Sequence, residues 1–375
     1  MIGPLVEAPP LRTDPVRLAL VLAAILALGL PGDPTGPMLL MPPAAAIVLA
    51  ASYRWDARVA TLLLLFAGAV LVRLSIADRT GSDVLAVTAA AIDRVLAGAN
   101  PYGVGYVEST PDGASFPYGP IALLWYLPLK DQPDLIELGA SIVVAAILLL
   151  RGRLLGLAVY AMAPILVASS VDGSNDTSLG LLILATFIVA GRSAVLGAAL
   201  LAVAVGFKLS ALAFVPAFLA WGGLRPALAF AAASLVVWAP VVAGRGIGSF
   251  AWSARVANEV HRTTIWSLGS IVDDFTGTRV AALDTLRFVL GGLVAIATLR
   301  LRHSLDQVFI AGSIVYLVTL FAGNWGTFAY FAALAPMLCW RLDDWLGFES
   351  RPLLAPVRLS ASLRSRSSDA APIGG

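Results

Sequence analysis

The feature that most constrains this chain is a succession of about twelve apolar segments, at roughly 18–30, 38–52, 59–77, 135–150, 154–169, 178–191, 194–206, 208–221, 226–243, 283–299, 306–322 and 326–341. A backbone in hydrocarbon must satisfy its own hydrogen bonds, so such a series limits the fold to a helical bundle in a membrane. The expectation is therefore an all-α, polytopic integral membrane bundle, with one domain over 1–345 and a disordered cytoplasmic tail over 346–375. Composition agrees: 59% of residues are hydrophobic and 13% charged, with a mean hydropathy of +0.87, which excludes an ordinary soluble enzyme. The net charge of +2 is dispersed between apolar blocks, so no basic patch offers itself to nucleic acid. Cys339 is the single cysteine, which excludes an internal disulfide and a cysteine-built metal site. No small-residue cleavage site follows the apolar run that begins near Leu18, which reads as a retained first span.

Loop charges orient the bundle. Arg54, Arg58, Arg151, Arg153, Arg300, Arg302 and Arg341 fall on one side with the basic tail, as expected of the cytoplasmic face of a plasma membrane. Both termini then lie in the cytoplasm. Two long segments, 78–134 and 244–282, face outward. This assignment needs the ten-residue run PIALLWYLPL to lie along the outer surface, since it is too short to span. It also needs the 194–221 block to be two short helices hinged at Gly206-Phe207-Lys208.

The outward stretch from Gly81 to Pro120 is the longest polar-bearing interruption in the first half of the chain. Ser82 is placed to cap a helix, with Asp83 at its first position. Val84, Val87, Ala91 and Val95 recur at helical spacing and Gly98 closes the run, which predicts an amphipathic helix on the outer membrane surface. The Gly-, Pro- and Tyr-rich segment after it reads as an ordered loop able to position a ligand.

Polar groups gather at the outer ends of the apolar segments, whose interiors are almost free of ionisable residues. Transporters usually carry such residues in mid-span, so this pattern favours a site at the membrane surface. Asp83 is the candidate general base, able to take a proton from an acceptor hydroxyl; helix capping is its competing role. Asp78 offers a second polar contact or a solvated loop charge. Asn175 and Asp176, in VDGSNDTS, are polar candidates whose residue types also suit a turn and a helix cap. Lys208 reads either as a snorkelling side chain or as a charge for a phosphate. Arg255 and Arg262, with His261 between them among aromatics, are further candidates for holding that phosphate or stacking on sugar. Tyr102, Tyr118 and Trp125 are candidate walls for a sugar or an isoprenoid chain, or interface anchors. His261 and His303 fall in opposite-facing loops and build no metal pair. No spacing argues for Mg2+ or Mn2+, although carboxylates are able to hold either.

The stretch SDVLAVTAAAIDRVLAGANPYG followed by FPYGPIALLWYLPL resembles the first outer loop of GT-C superfamily membrane glycosyltransferases. It is most similar to glycosyltransferase family 87, which includes actinobacterial polyprenyl-phosphomannose-dependent mannosyltransferases. SNDTSLGLLILA, a short basic loop and GAALLAVAVGFKLSALAFVPAFL are similar to the middle section of that family. The resemblance covers roughly residues 75–245. It implies an inverting transferase that moves a sugar, mannose first, from a polyprenyl-phosphate donor to a lipid or glycan acceptor outside the cytoplasm. It further implies Asp83 as general base and Lys208 as a contact of the donor phosphate. The chain departs from the family in carrying Ala86, Val87 and Thr88 where a tyrosine is often found. The alternatives are a lipid-linked-sugar flippase and a non-catalytic membrane protein of envelope assembly.

Overall fold

The apolar segments among the described residues fold as helices, several of them interrupted at glycine or proline. The computed structural model describes residues 41–55, 57–77, 82–244, 246–260, 267–348 and 353. Among them the regular structure is helical apart from a two-residue antiparallel ladder, β1 (Gly105–Tyr106) with β2 (Ala114–Ser115), and turns and irregular loops join the elements. The helices are α1 (Met41–Trp55), α2 (Arg58–Ser75), α3 (Val84–Leu96), α4 (Pro120–Tyr126), α5 (Asp134–Leu150), α6 (Leu154–Met162), α7 (Pro164–Ala168) and α8 (Asp176–Ala190). They continue as α9 (Ala194–Phe207), α10 (Val215–Gly222), α11 (Leu224–Gly244), α12 (Ile247–Val260), α13 (Leu268–Thr276), α14 (Ala282–Thr298), α15 (Leu305–Phe321) and α16 (Tyr330–Trp345).

Two of the described helices, α2 and α11, are long and apolar enough to cross a membrane; α4 with its 3-10 extension and α5 make a third if the pair is one span bent by 99°. That bend ends the run PIALLWYLPL before α5 begins. Helices α8, α9 and α15 and the helical stretch Leu209–Gly222 are apolar but shorter, at 10–17 residues. The expected span at 154–169 is broken between α6 and α7, where Ala163 is extended ahead of Pro164. Proline disfavours the helical conformation in the residue before it, which accounts for the break. The expected span at 18–30 and nearly all of the expected tail lie outside the described residues.

Two further expectations are corrected. The 244–282 segment is helical over α12 and α13, because Phe250 and Ser253, one turn apart on α12, bury against the loop that carries β1 and β2. On α3 the buried residues are Leu85, Val87, Thr88, Ala91 and Ile92, so Val84 and Val95 flank the packed stripe instead of defining it. Ionisable groups are also buried inside the bundle: Arg73 and Glu137 are each 1% exposed and Asp343 is 0% exposed. All three stand in the first or last turns of their helices, where backbone groups await partners. Arg73 donates to Ser141 Oγ at 2.6 Å and to the Tyr160 carbonyl at 2.8 Å. Asp343 accepts the Leu155 and Gly156 amides at 3.2 and 2.9 Å, so a carboxylate from α16 caps the N-terminus of α6.

The core is one continuous cluster in which α8 packs on α9 and α16, α9 on α11, and α6 on α2 and α16. Small residues bring these helices close. A Cβ on Gly156 would sit 1.9 Å from the Cys339 carbonyl, a backbone atom with no freedom to turn away. Gly156→Ala is therefore expected to push α6 from α16 and cost about 2 kcal/mol. The measurement is the unfolding temperature in detergent, and a wild-type value would refute the contact.

Candidate active site at converging helix ends

Four helix ends meet at one end of the bundle: the N-termini of α3, α8 and α16 and the C-terminus of α9. The turn before α8 makes the junction. The Ser82 amide donates to the Asp172 carbonyl at 2.6 Å, and the Leu85 amide to the Gly173 carbonyl at 3.1 Å. Gly173 has a φ of +82°, and a Cβ there would lie 2.4 Å from the Ser82 carbonyl, so the junction requires glycine on both counts. Burial pushes the Asp172 carboxyl up to about 6, against the pull of its hydrogen bonds to Ser174.

The α9 end supplies Lys208, which stands in extended backbone, φ −145° and ψ 124°, between α9 and the 3-10 helix Leu209–Phe214. The expected hinge is thus a single residue. Its ammonium donates to Asp176 Oδ1 at 2.7 Å and to Asn175 Oδ1 at 2.9 Å. It also lies 5.6 Å from the Tyr118 ring centroid and 5.3 Å from that of Tyr330. Tyr118 reaches this place because Gly119 packs on the end of α9: its amide donates to the Phe207 carbonyl at 3.2 Å, and a Cβ on it would lie 2.1 Å from the Gly206 carbonyl. The Tyr118 hydroxyl is held above its ordinary pKa by burial first, then by the negative charges of Asp176 and Asp83 and by Tyr330. Asp83 and Asp176 therefore act on one ring.

Asp83 is the N-cap residue of α3, not its first helical residue, and its carboxylate makes no capping bond. Its Oδ2 accepts the Thr110 amide N–H from the turn between β1 and β2 at 2.5 Å. The cap goes to Ser82 Oγ, which accepts from Val84 at 3.4 Å. Asn175 is likewise the N-cap residue of α8 without a capping bond, since its oxygen is taken by Lys208. The capping is supplied in its place by Glu137 of α5, whose Oε2 accepts the Ser178 amide at 3.0 Å and whose Oε1 accepts from the Ser178 and Tyr126 hydroxyls. Trp125 Nε1 donates to Ser178 Oγ at 3.0 Å, so this aromatic serves the same network.

The candidates thus divide. Asp83, Tyr118, Asn175, Asp176 and Lys208 share one neighbourhood. Tyr102 does not join them: it is buried between Phe116 and Phe250, with ring centroids at 5.8 and 5.3 Å, and holds the loop after α3 to α12. Arg255 is exposed on α12. Asp78, His261 and Arg262 lie outside the described residues. The pairing with Asp176 changes what Lys208 offers, because its charge is already matched by a buried carboxylate. Tyr330 and Glu137 join the neighbourhood without having been singled out from the sequence. Glu137 had one local signal, a carboxylate one turn into an apolar segment; Tyr330 had none. Among the described residues no group of three His, Cys, Asp or Glu side chains is placed to hold a metal ion. A shallow depression lined by Leu96 and Leu127 to Gln132 lies at the other end of α3, about 20 Å along the helix from Asp83 by its rise per residue. Compared with protein-family models, with curated proteins and with solved structures, the chain matches none.

Proposed function

We propose that this chain is an integral membrane glycosyltransferase of GT-C type, with about twelve spans and its site on the extracytoplasmic side of the plasma membrane. It transfers a sugar, mannose first, from a polyprenyl-phosphate donor to a lipid or glycan acceptor. Asp83 takes the proton of the acceptor hydroxyl as its oxygen attacks the anomeric carbon. The bond from that carbon to the phosphate oxygen breaks, polyprenyl phosphate leaves, and the single displacement inverts the anomeric centre. Arg255 and Arg262, on the segment that follows α11, are the cations proposed for the leaving phosphate, whose charge grows as the bond breaks.

What supports this reading is the convergence of a half-buried carboxylate, two tyrosines and a polar cluster where four helix ends meet, beside helices long and apolar enough for a membrane. One oxygen of Asp83 is held by Thr110. The other remains for an acceptor. Membranes from cells with and without the protein, given radiolabelled polyprenyl-phosphate sugars and endogenous acceptor lipids, test it. Product that depends on one donor and on the protein is expected; no protein-dependent product across the panel rejects the reading.

A further inference from the structure

We infer that Lys208, Asp176 and Asn175 bind the hydroxyls of a neutral sugar, and not the phosphate to which a lone lysine at this position would be assigned. The inference takes its place in a reaction from the glycosyl-transfer reading, but the binding it asserts stands apart from it.

Charge is the first argument. The Lys208 ammonium and the Asp176 carboxylate are 2.7 Å apart, with side chains 13% and 3% exposed, so they sum to zero in a place where water screens poorly. A phosphate brought onto Lys208 would meet the like charge of Asp176 at nearly the same distance. A neutral ligand meets no such opposition.

Hydrogen-bonding capacity is the second. Asn175 is fully buried and the direction of its amide is not in doubt, because Lys208 donates to one end and only the oxygen can accept. Its Nδ2 is then left with no partner among the described residues. A buried amide N–H without an acceptor is costly, and its occurrence at a candidate site points to an acceptor brought by a ligand. The ammonium has three N–H groups, of which two serve Asn175 and Asp176. The site therefore presents N–H donors beside carboxylate acceptors. A phosphate oxygen can only accept, and would leave the carboxylate opposed. A sugar hydroxyl does both, accepting from Asn175 or Lys208 while donating to Asp176.

Shape is the third. The Tyr118 and Tyr330 rings flank Lys208 at 5.6 and 5.3 Å. They give the polar cluster aromatic walls, which suit the C–H faces of a pyranose ring. Few convergent polar groups between apolar walls are the usual make-up of a small-ligand site.

The test uses the purified full-length protein in detergent and two probes, a panel of methyl hexopyranosides and farnesyl phosphate, each followed by saturation-transfer NMR. Wild-type protein is expected to bind one glycoside of the panel in preference to its epimers. Asn175→Asp keeps an acceptor for Lys208, removes the amide donors and adds a second carboxylate beside Asp176, so it should weaken that glycoside about tenfold and, with farnesyl phosphate bound away from Lys208, leave that probe within twofold. Asp176→Asn is the second variant, with the same expectation, and gel filtration with thermal unfolding checks that both are folded. The inference is overturned if wild-type protein binds no glycoside, or if Asn175→Asp binds it unchanged. It is equally overturned if Asp176→Asn tightens farnesyl phosphate tenfold, since relief of that repulsion would put the anion on Lys208. Glycoside binding without sugar transfer in membranes would reject the transferase reading and leave this inference standing. Transfer with an unchanged donor KM in Asn175→Asp would do the reverse.

Discussion

Asp83→Asn is expected to lower sugar transfer by roughly a hundred- to ten-thousand-fold, the usual worth of a positioned general base, while donor binding stays as in wild type. The substitution separates chemistry from architecture. Asn keeps the size of the side chain, and its oxygen can still accept the Thr110 amide that Asp83 Oδ2 accepts at 2.5 Å. The loop that carries Thr110 therefore stays on α3. The α3 N-terminus is also kept, because Asp83 makes no capping bond and Ser82 Oγ serves Val84. Only the capacity to take a proton is lost. Transfer rates at equal protein level decide the matter: a variant within threefold of wild type would move the base to another carboxylate of the same junction. Asp172 would come first, because burial has already brought its carboxyl to about 6, near the working pH that suits a general base.

What could be read from the chain beforehand depended on whether the signal was local. The all-helical class followed from apolar segments alone, and the break at Lys208 from Gly206 and a lysine inside an apolar block. The start of α3 is legible to within a residue, and Ser82 supplies the capping oxygen as its residue type suggests, but Asp83 is the N-cap residue and its carboxylate is drawn off by a backbone amide 27 positions away. No local pattern carries that contact. Helix α12 was missed for a related reason. Its Gly, Ser, Arg and Asn content reads as loop, and its stability comes from tertiary bonds: Ser253 Oγ accepts the Gly103 amide at 2.9 Å and the Ser253 carbonyl accepts from Ser115 Oγ at 2.5 Å. The site shows both cases. Lys208, Asn175 and Asp176 were each legible as polar residues at the ends of apolar runs. That Asn175 is spared from capping, and so can face Lys208, depends on Glu137 from another helix.

That dependence sets the second large expectation. Glu137→Ala is predicted to cost roughly 3 kcal/mol and to abolish transfer as well, because it removes the acceptor of three donors at once. The Ser178 amide, one of the orphan N–H groups in the first turn of α8, would lose its partner, and the Tyr126 and Ser178 hydroxyls would lose theirs in a buried layer. Asn175 is the nearest side chain able to cap α8. If it turned to do so it would leave Lys208, and the polar cluster would come apart. Glu137→Gln should fall between. Its oxygen can serve the Ser178 amide while its NH2 faces the two hydroxyls, which must turn to accept; Ser178 Oγ is already receiving Trp125 Nε1–H at 3.0 Å and has the less freedom. Unfolding temperature in detergent and sugar transfer, measured on both variants, check the order. If Glu137→Ala unfolds with the wild type, the carboxylate is not what holds the α8 end. If it unfolds early yet transfers normally, Asn175 does not depend on Glu137 for its freedom to face Lys208.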